Sequence, residues 1–192
     1  AAPCQNGSSA LWAALKIAGI GPGDEVIVPS YTFISTATCI VLVGAQPVFV
    51  DVEPDYFCLD LSAVKRARTA RTKAVIGVHL YGQPYDPKIV DFCKENTLLL
   101  IEDAAQAHGA KQQMSNGEIT VAGSMGDVGC FSFFPSKNMA VGGEGGMLTT
   151  TRKNFSARIQ SITNHGRTPN LESVELGSNL RMSEVAAAIG RK

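Results

Sequence analysis

The chain has 192 residues, enough for one domain that buries roughly 70% of its unfolded surface. Lysine plus arginine and aspartate plus glutamate each total 17, and like charges nowhere form a long run, which excludes the electrostatic footprint of a nucleic-acid binder or a polybasic membrane anchor. No apolar stretch approaches the roughly 20 residues of a membrane span, the N-terminus lacks a signal-peptide pattern, and the five scattered cysteines lack any CxxC pair, so a cytosolic protein with buried free thiols, no metal and a small-molecule partner is expected.

In chain order, Asn6-Gly7-Ser8-Ser9-Ala10-Leu11 leads into a helix over Ser9 to Ile17, with Trp12 and Leu15 on its core-facing stripe. The turn Gly21-Pro22-Gly23-Asp24 precedes an apolar strand, Glu25 to Val28. A helix over Phe33 to Val43 and a strand over Pro47 to Val50 follow, then a helix over Leu61 to Ala67 and a strand over Ala74 to Val78. Pro87 to Glu95 is helical in spacing, and Leu98 to Glu102 reads as a buried strand. Ser115-Asn116-Gly117 marks a turn between two strands, Val128 to Phe131 and Gly146 to Thr150 read as further strands, and Phe155 to Asn164 as a helix. The last residues, Ser183 to Lys192, read as a helix cut short, so the chain is expected to be a piece of something longer. Short apolar strands alternating with helices predict an α/β fold, a mostly parallel sheet covered by helices on both faces.

Such sheets bind ligands at the carboxyl ends of their strands, which directs attention to Asp103. It follows Leu98-Leu99-Leu100-Ile101-Glu102, where a carboxylate is desolvated and needs a cation or hydrogen-bond donors; an Asp capping the next turn would look the same. Lys137 lies where the aromatic segment Phe131-Ser132-Phe133-Phe134 meets the glycine-rich Gly142-Gly143-Glu144-Gly145-Gly146. An amine in apolar surroundings loses its proton more readily and becomes a nucleophile able to form an imine, although a lysine snorkelling at a strand end is the alternative. The helix start at Gly7-Ser8-Ser9, with Ser132 five residues before Lys137, supplies amides and hydroxyls for an anion, and equally a plain N-cap. A carboxylate, an imine-forming lysine and an anion pocket together match one cofactor, pyridoxal 5'-phosphate.

The sequence also resembles the DegT/DnrJ/StrS aminotransferases, a family of fold-type-I pyridoxal-phosphate enzymes, along essentially its whole length. The marks are Asn6-Gly7-Ser8-Ser9-Ala10-Leu11, Gly23 to Phe33, Glu102-Asp103-Ala104-Ala105-Gln106-Ala107-His108-Gly109, Phe131-Ser132-Phe133, Lys137-Asn138 and Gly177 to Met182. The resemblance implies a three-layer α/β/α large domain with a seven-stranded type of sheet. Lys137 would be the Schiff-base lysine, Asp103 the partner of the pyridinium nitrogen, Gln106 a donor to the phenolic oxygen and Phe33 the stacking ring. Ser8, Ser9 and Ser132 would bind the phosphate, with Asn179 arriving from the other subunit of a homodimer. It further implies that residues 1–192 are the cofactor-binding large domain, shortened at both ends and without the small C-terminal domain.

A branch of the family that works as a dehydratase carries histidine at the lysine position. Lys137 therefore implies transamination, from glutamate or glutamine to the ketone of a nucleotide-linked sugar. The same cofactor chemistry on a cyclitol or an aminobenzoate-precursor ketone, and a non-catalytic regulatory relative, are the competing readings. His79 is read as structural at a strand end and His108 as tucked into a turn, while His165 and Arg167 are candidates to reach a substrate or a partner loop.

Overall fold

The computed structural model describes residues 1–192. In chain order it contains β1 (Ala2–Cys4), α1 (Gly7–Ile17), β2 (Glu25–Pro29), α2 (Ser35–Leu42), β3 (Gln46–Val50), α3 (Leu61–Ala67), β4 (Thr72–Val78), α4 (Lys88–Glu95), β5 (Leu99–Asp103), β6 (Lys111–Gln113), β7 (Ile119–Val121), β8 (Val128–Ser132), β9 (Gly146–Thr149), α5 (Lys153–Ile162) and α6 (Glu184–Gly190). Seven strands form one sheet in the order β1-β9-β8-β5-β4-β2-β3, and β6 pairs with β7 as a separate hairpin. From β8 to β3 every neighbouring pair is parallel, whereas β9 runs antiparallel to β8 and β1 antiparallel to β9.

The central strands are continuous apolar runs because both faces are covered. Side chains alternate across a strand, so Val26, Val28, Ala74, Ile76 and Ile101 join one core, while Ile27, Val75 and Leu100 join the other. The first core is closed by α1, α2 and α5 through residues such as Leu11, Leu15, Cys39, Ile40, Ile159 and Ile162. The second is closed by α3 and α4 through Ala63, Val64, Ile89, Val90 and Cys93. Each fully buried Leu, Ile or Val contributes about 1.5–3 kcal/mol relative to exposure, so the two cores hold the three layers together. The expected α/β/α architecture is present, and no helix is long and apolar enough to cross a membrane.

Several elements depart from the sequence expectation. The helix expected from Phe33 begins at Ser35, which leaves Phe33 on the surface at 67% exposed. The strand expected as buried over Pro47 to Val50 is the sheet edge, and Phe49 on it is exposed. β1, three residues with no apolar run of their own, exists through its pairing with β9. Ser115-Asn116-Gly117 does turn a hairpin, whose strands β6 and β7 are largely polar and lie outside the main sheet.

Candidate active site

The carboxyl ends of β2, β4, β5 and β8 open onto one cavity of about 400 Å³, and the N-terminus of α1 closes its floor. Its wall contains Ser8, Phe33, Asp103, Gln106, Ser132 and Lys137, which the sequence had singled out separately. They come from five parts of the chain and meet because parallel strands end on the same side of a sheet.

Asp103 is the last residue of β5, alternates onto the α2 side of the sheet, and is buried at 7% exposed. Thr36 Oγ1 donates to its Oδ2 at 2.9 Å and the Ala105 amide donates to Oδ1 at 3.2 Å. Thr36 in turn shares a hydroxyl hydrogen bond of 3.0 Å with Thr32, so a chain of hydroxyls leads from the cavity wall to the carboxylate. Burial raises the Asp103 pKa, and the Ala105 amide, Thr36 hydroxyl and the charges of His79 and Lys137 only partly oppose it. A carboxylate so placed is short of positive charge, and a protonated ring nitrogen would supply it.

The anion pocket is built at the start of α1. Asn6 Oδ1 caps the helix by accepting from the Ser9 amide at 2.8 Å, so asparagine rather than serine is the N-cap. The Gly7 and Ser8 amides take no acceptor within the protein and face the cavity with the positive end of the helix dipole. Gly7 is required by closeness: a Cβ there would sit 2.8 Å from Ser132 Cβ, so any larger residue pushes the helix end from the β8 terminus. Ser8 Oγ donates to Ser35 Oγ at 2.7 Å, which adds a further hydroxyl from the start of α2.

Lys137 is half-buried, makes no side-chain hydrogen bond or ion pair, and sits on the same wall. Gln106 faces the cavity while its Oε1 accepts from the Tyr81 amide at 2.6 Å, so its NH₂ remains available as a donor. The thiols nearby are inert: burial pushes Cys39 up to about 12, helped by the Asp103 charge, and drives Cys130 well above its ordinary value.

Two predicted residues are not on this wall. Ser9 lies on α1 with its amide committed to the cap, and Asn179 is held away from the cavity by a β-bridge to Asn164. His79 lines the cavity and is fully buried, and its Nε2 donates to Glu102 Oε2 at 2.9 Å while the Gly123 and Gly126 amides also bond that carboxylate. His108 packs between Phe131 and Phe133, and burial lowers its pKa. His165 and Arg167 are exposed on the loop that also carries Asn179. Thr36, Ser35 and Tyr81 were missed, and no spacing in the sequence points to the first, because Thr32, which bonds it, lies before α2 begins.

A model of the DegT/DnrJ/EryC1/StrS aminotransferase family matches residues 1–192. The chain belongs to that family. Among curated relatives, the UDP-N-acetyl-3-dehydro-alpha-D-glucosamine 3-aminotransferase of Acidithiobacillus ferrooxidans is 46% identical over 98% of this chain and 50% of its own length. A pleiotropic regulatory protein of Geobacillus stearothermophilus is also 46% identical, over 97% of this chain and 49% of its own. Among solved structures, DesV of S. venezuelae in complex with a ketimine intermediate superposes with a TM-score of 0.91 at 38% identity, covering 99% of this chain and 50% of that one. The chain thus spans about half the length of the relatives it matches. The DegT/DnrJ/EryC1/StrS enzymes depend on pyridoxal phosphate, and the donor set described above has the pieces that cofactor needs. Free helix amides beside Ser8 and Ser132 suit its phosphate, buried Asp103 suits its ring nitrogen, and an unengaged Lys137 suits its aldehyde.

Proposed function

We propose that this chain is the cofactor-binding part of a pyridoxal-phosphate aminotransferase, a transaminase that moves an amino group from glutamate or glutamine to the ketone of a nucleotide-linked sugar. The observation that carries the reading is the meeting of Lys137, Asp103 and the Gly7-Ser8-Ser132 pocket on one cavity wall. When bound, the cofactor supplies an electron sink for the pair of electrons left at the substrate carbon. Asp103 keeps the ring nitrogen protonated, and Gln106 donates to the ring oxygen. The α1 amides with Ser8 and Ser132 would fix the phosphate, and Lys137 would hold the aldehyde and, once released, serve as the base that moves the proton at the substrate carbon. Phe33, exposed on this wall, would cover the ring face. The sugar acceptor follows the Acidithiobacillus relative, which acts on a UDP-linked keto sugar by its name.

The working unit is a homodimer. Tyr31, Phe33, Ile34 and Tyr81 leave a rim at the cavity mouth that is at least half exposed, a surface suited to a second copy. Asn179 stands away from the cavity of its own chain, consistent with service to the phosphate of the other subunit. Five free, buried cysteines suit the reducing cytoplasm. The Geobacillus relative, named as a regulator, favours a second reading in which the fold binds cofactor or sugar without turnover.

One experiment separates the two. The full-length protein is loaded with pyridoxamine phosphate and mixed with candidate nucleotide keto sugars, then with cyclitol ketones, while the cofactor absorbance and the amino product are followed. Conversion with a sugar supports the proposal, conversion with a cyclitol alone moves the acceptor, and none with any ketone favours the regulatory reading.

A further inference from the structure

Gln106 is seated on an unusual piece of backbone. Tyr81 has φ 55° and ψ 20°, the left-handed conformation that residues with a side chain avoid, and Gly82 follows with φ 86°. The Tyr81 side chain gives no reason for this, since it is 69% exposed and bonds only the Tyr31 hydroxyl. The reason lies in what the turn touches. At its start, the His79 amide donates to the Asp103 carbonyl at 3.0 Å and His79 Nε2 is held by buried Glu102 at 2.9 Å. At its end, the Gly82 amide returns to the His79 carbonyl at 3.3 Å and the Gln83 amide to Leu80 at 2.9 Å. Between these anchors the Tyr81 amide donates to Gln106 Oε1, and Gly82 lies so close that a Cβ there would be 3.2 Å from the Gln106 carbonyl oxygen. Side chain and main chain of Gln106 therefore both rest on the two left-handed residues. An amide whose oxygen is committed has one way to face, with its NH₂ outward.

We propose that the His79–Gly82 turn is a positioning device for Gln106, holding its oxygen on Tyr81 so that its NH₂ donates into the cavity toward the anionic ring oxygen of the bound cofactor. The inference rests on the reading given under Proposed function. Strained backbone persists where the surroundings fix it, and here those surroundings are the buried His79–Glu102 pair and Gln106 itself.

The test uses the full-length protein and two readouts. In the cofactor-free protein, amide hydrogen exchange at Tyr81 is slow in wild type and in Gln106→Glu, which keeps the accepting oxygen, and about five- to tenfold faster in Gln106→Leu, the worth of one hydrogen bond. In the loaded protein, the pH midpoint of the visible band of the lysine-bound cofactor rises by about one unit in both Gln106 variants, because the ring oxygen loses a donor and pulls harder on the imine proton. Gly82→Ala, strained and crowding Gln106, shifts the midpoint in the same direction, while Tyr81→Asn, which tolerates the left-handed conformation and keeps the amide, leaves both readouts at wild-type values. Unchanged exchange in Gln106→Leu overturns the clamp, and an unchanged midpoint in both Gln106 variants overturns the donor role. A wild-type protein that takes up no cofactor overturns the function reading instead, and the exchange measurement still decides the clamp.

Discussion

Asp103→Asn separates what the site needs from what the fold tolerates. Asp103 is buried, its pKa is raised by that burial, and its partners are one hydroxyl and one amide. Asparagine preserves the shape but has one accepting oxygen: with that oxygen on the Ala105 amide, its NH₂ faces the Thr36 hydroxyl, which can turn to accept, and each contact loses about 1 kcal/mol because the carboxylate charge is gone. Against that roughly 2 kcal/mol stands the burial of an ion, which costs several kcal/mol, so the cofactor-free variant is more stable by about 1–3 kcal/mol. For a domain of this size that is an increase in Tm of about 2–12 °C. The pH dependence follows from the raised pKa. A carboxyl that binds its proton more tightly when folded carries no penalty below the unfolded pKa of about 3.9, and the penalty grows as pH rises from there to the folded value. Melting curves of the cofactor-stripped protein should therefore coincide for wild type and variant near pH 3 and diverge in favour of the variant toward pH 7. Amino transfer in the same variant falls by several orders of magnitude, since the ring nitrogen loses its counter-charge. A variant less stable at pH 7, or equally more stable at every pH, would refute the reasoning.

Two other substitutions probe the walls around it. Gly7→Ala places a methyl 2.8 Å from Ser132 Cβ, and the forced separation should weaken cofactor affinity about tenfold or more, measured by equilibrium dialysis, with inorganic phosphate losing affinity in parallel. Thr36→Val removes the hydroxyl that donates to Asp103 in a fully buried position, lowering stability at pH 7 by about 1–3 kcal/mol, with a smaller loss once acid has protonated the carboxyl.

The layers and the lysine were legible in the sequence, for identifiable reasons. Continuous runs such as Ala74 to Val78 and Leu98 to Glu102 announce strands buried on both faces, and Asp103 stands out because it ends such a run. What escaped was decided by contacts far apart in the chain. β1 is three residues whose only signal is pairing with β9, whose nearest register partner, Gly146 opposite Cys4, lies 142 residues further along the chain. Phe33 continues the helical spacing of its neighbours, yet α2 starts two residues later and leaves the ring at the cavity rim. Thr36 reads as an ordinary helix residue until β5 brings Asp103 beneath it, and nothing in the order of Leu80, Tyr81 and Gly82 announces a left-handed tyrosine. Asn179 followed from family resemblance alone and Ser9 from the hydroxyls at the helix start, and the single chain brings neither to the cavity.

The central claim is that Lys137 carries the cofactor. Full-length protein incubated with pyridoxal phosphate, reduced with borohydride and digested should yield one labelled peptide with the adduct on Lys137, identified by mass spectrometry, and Lys137→Ala should lose both the adduct and the visible absorbance. A reducible adduct that persists at one site in Lys137→Ala, or wild-type protein that forms none, would contradict it.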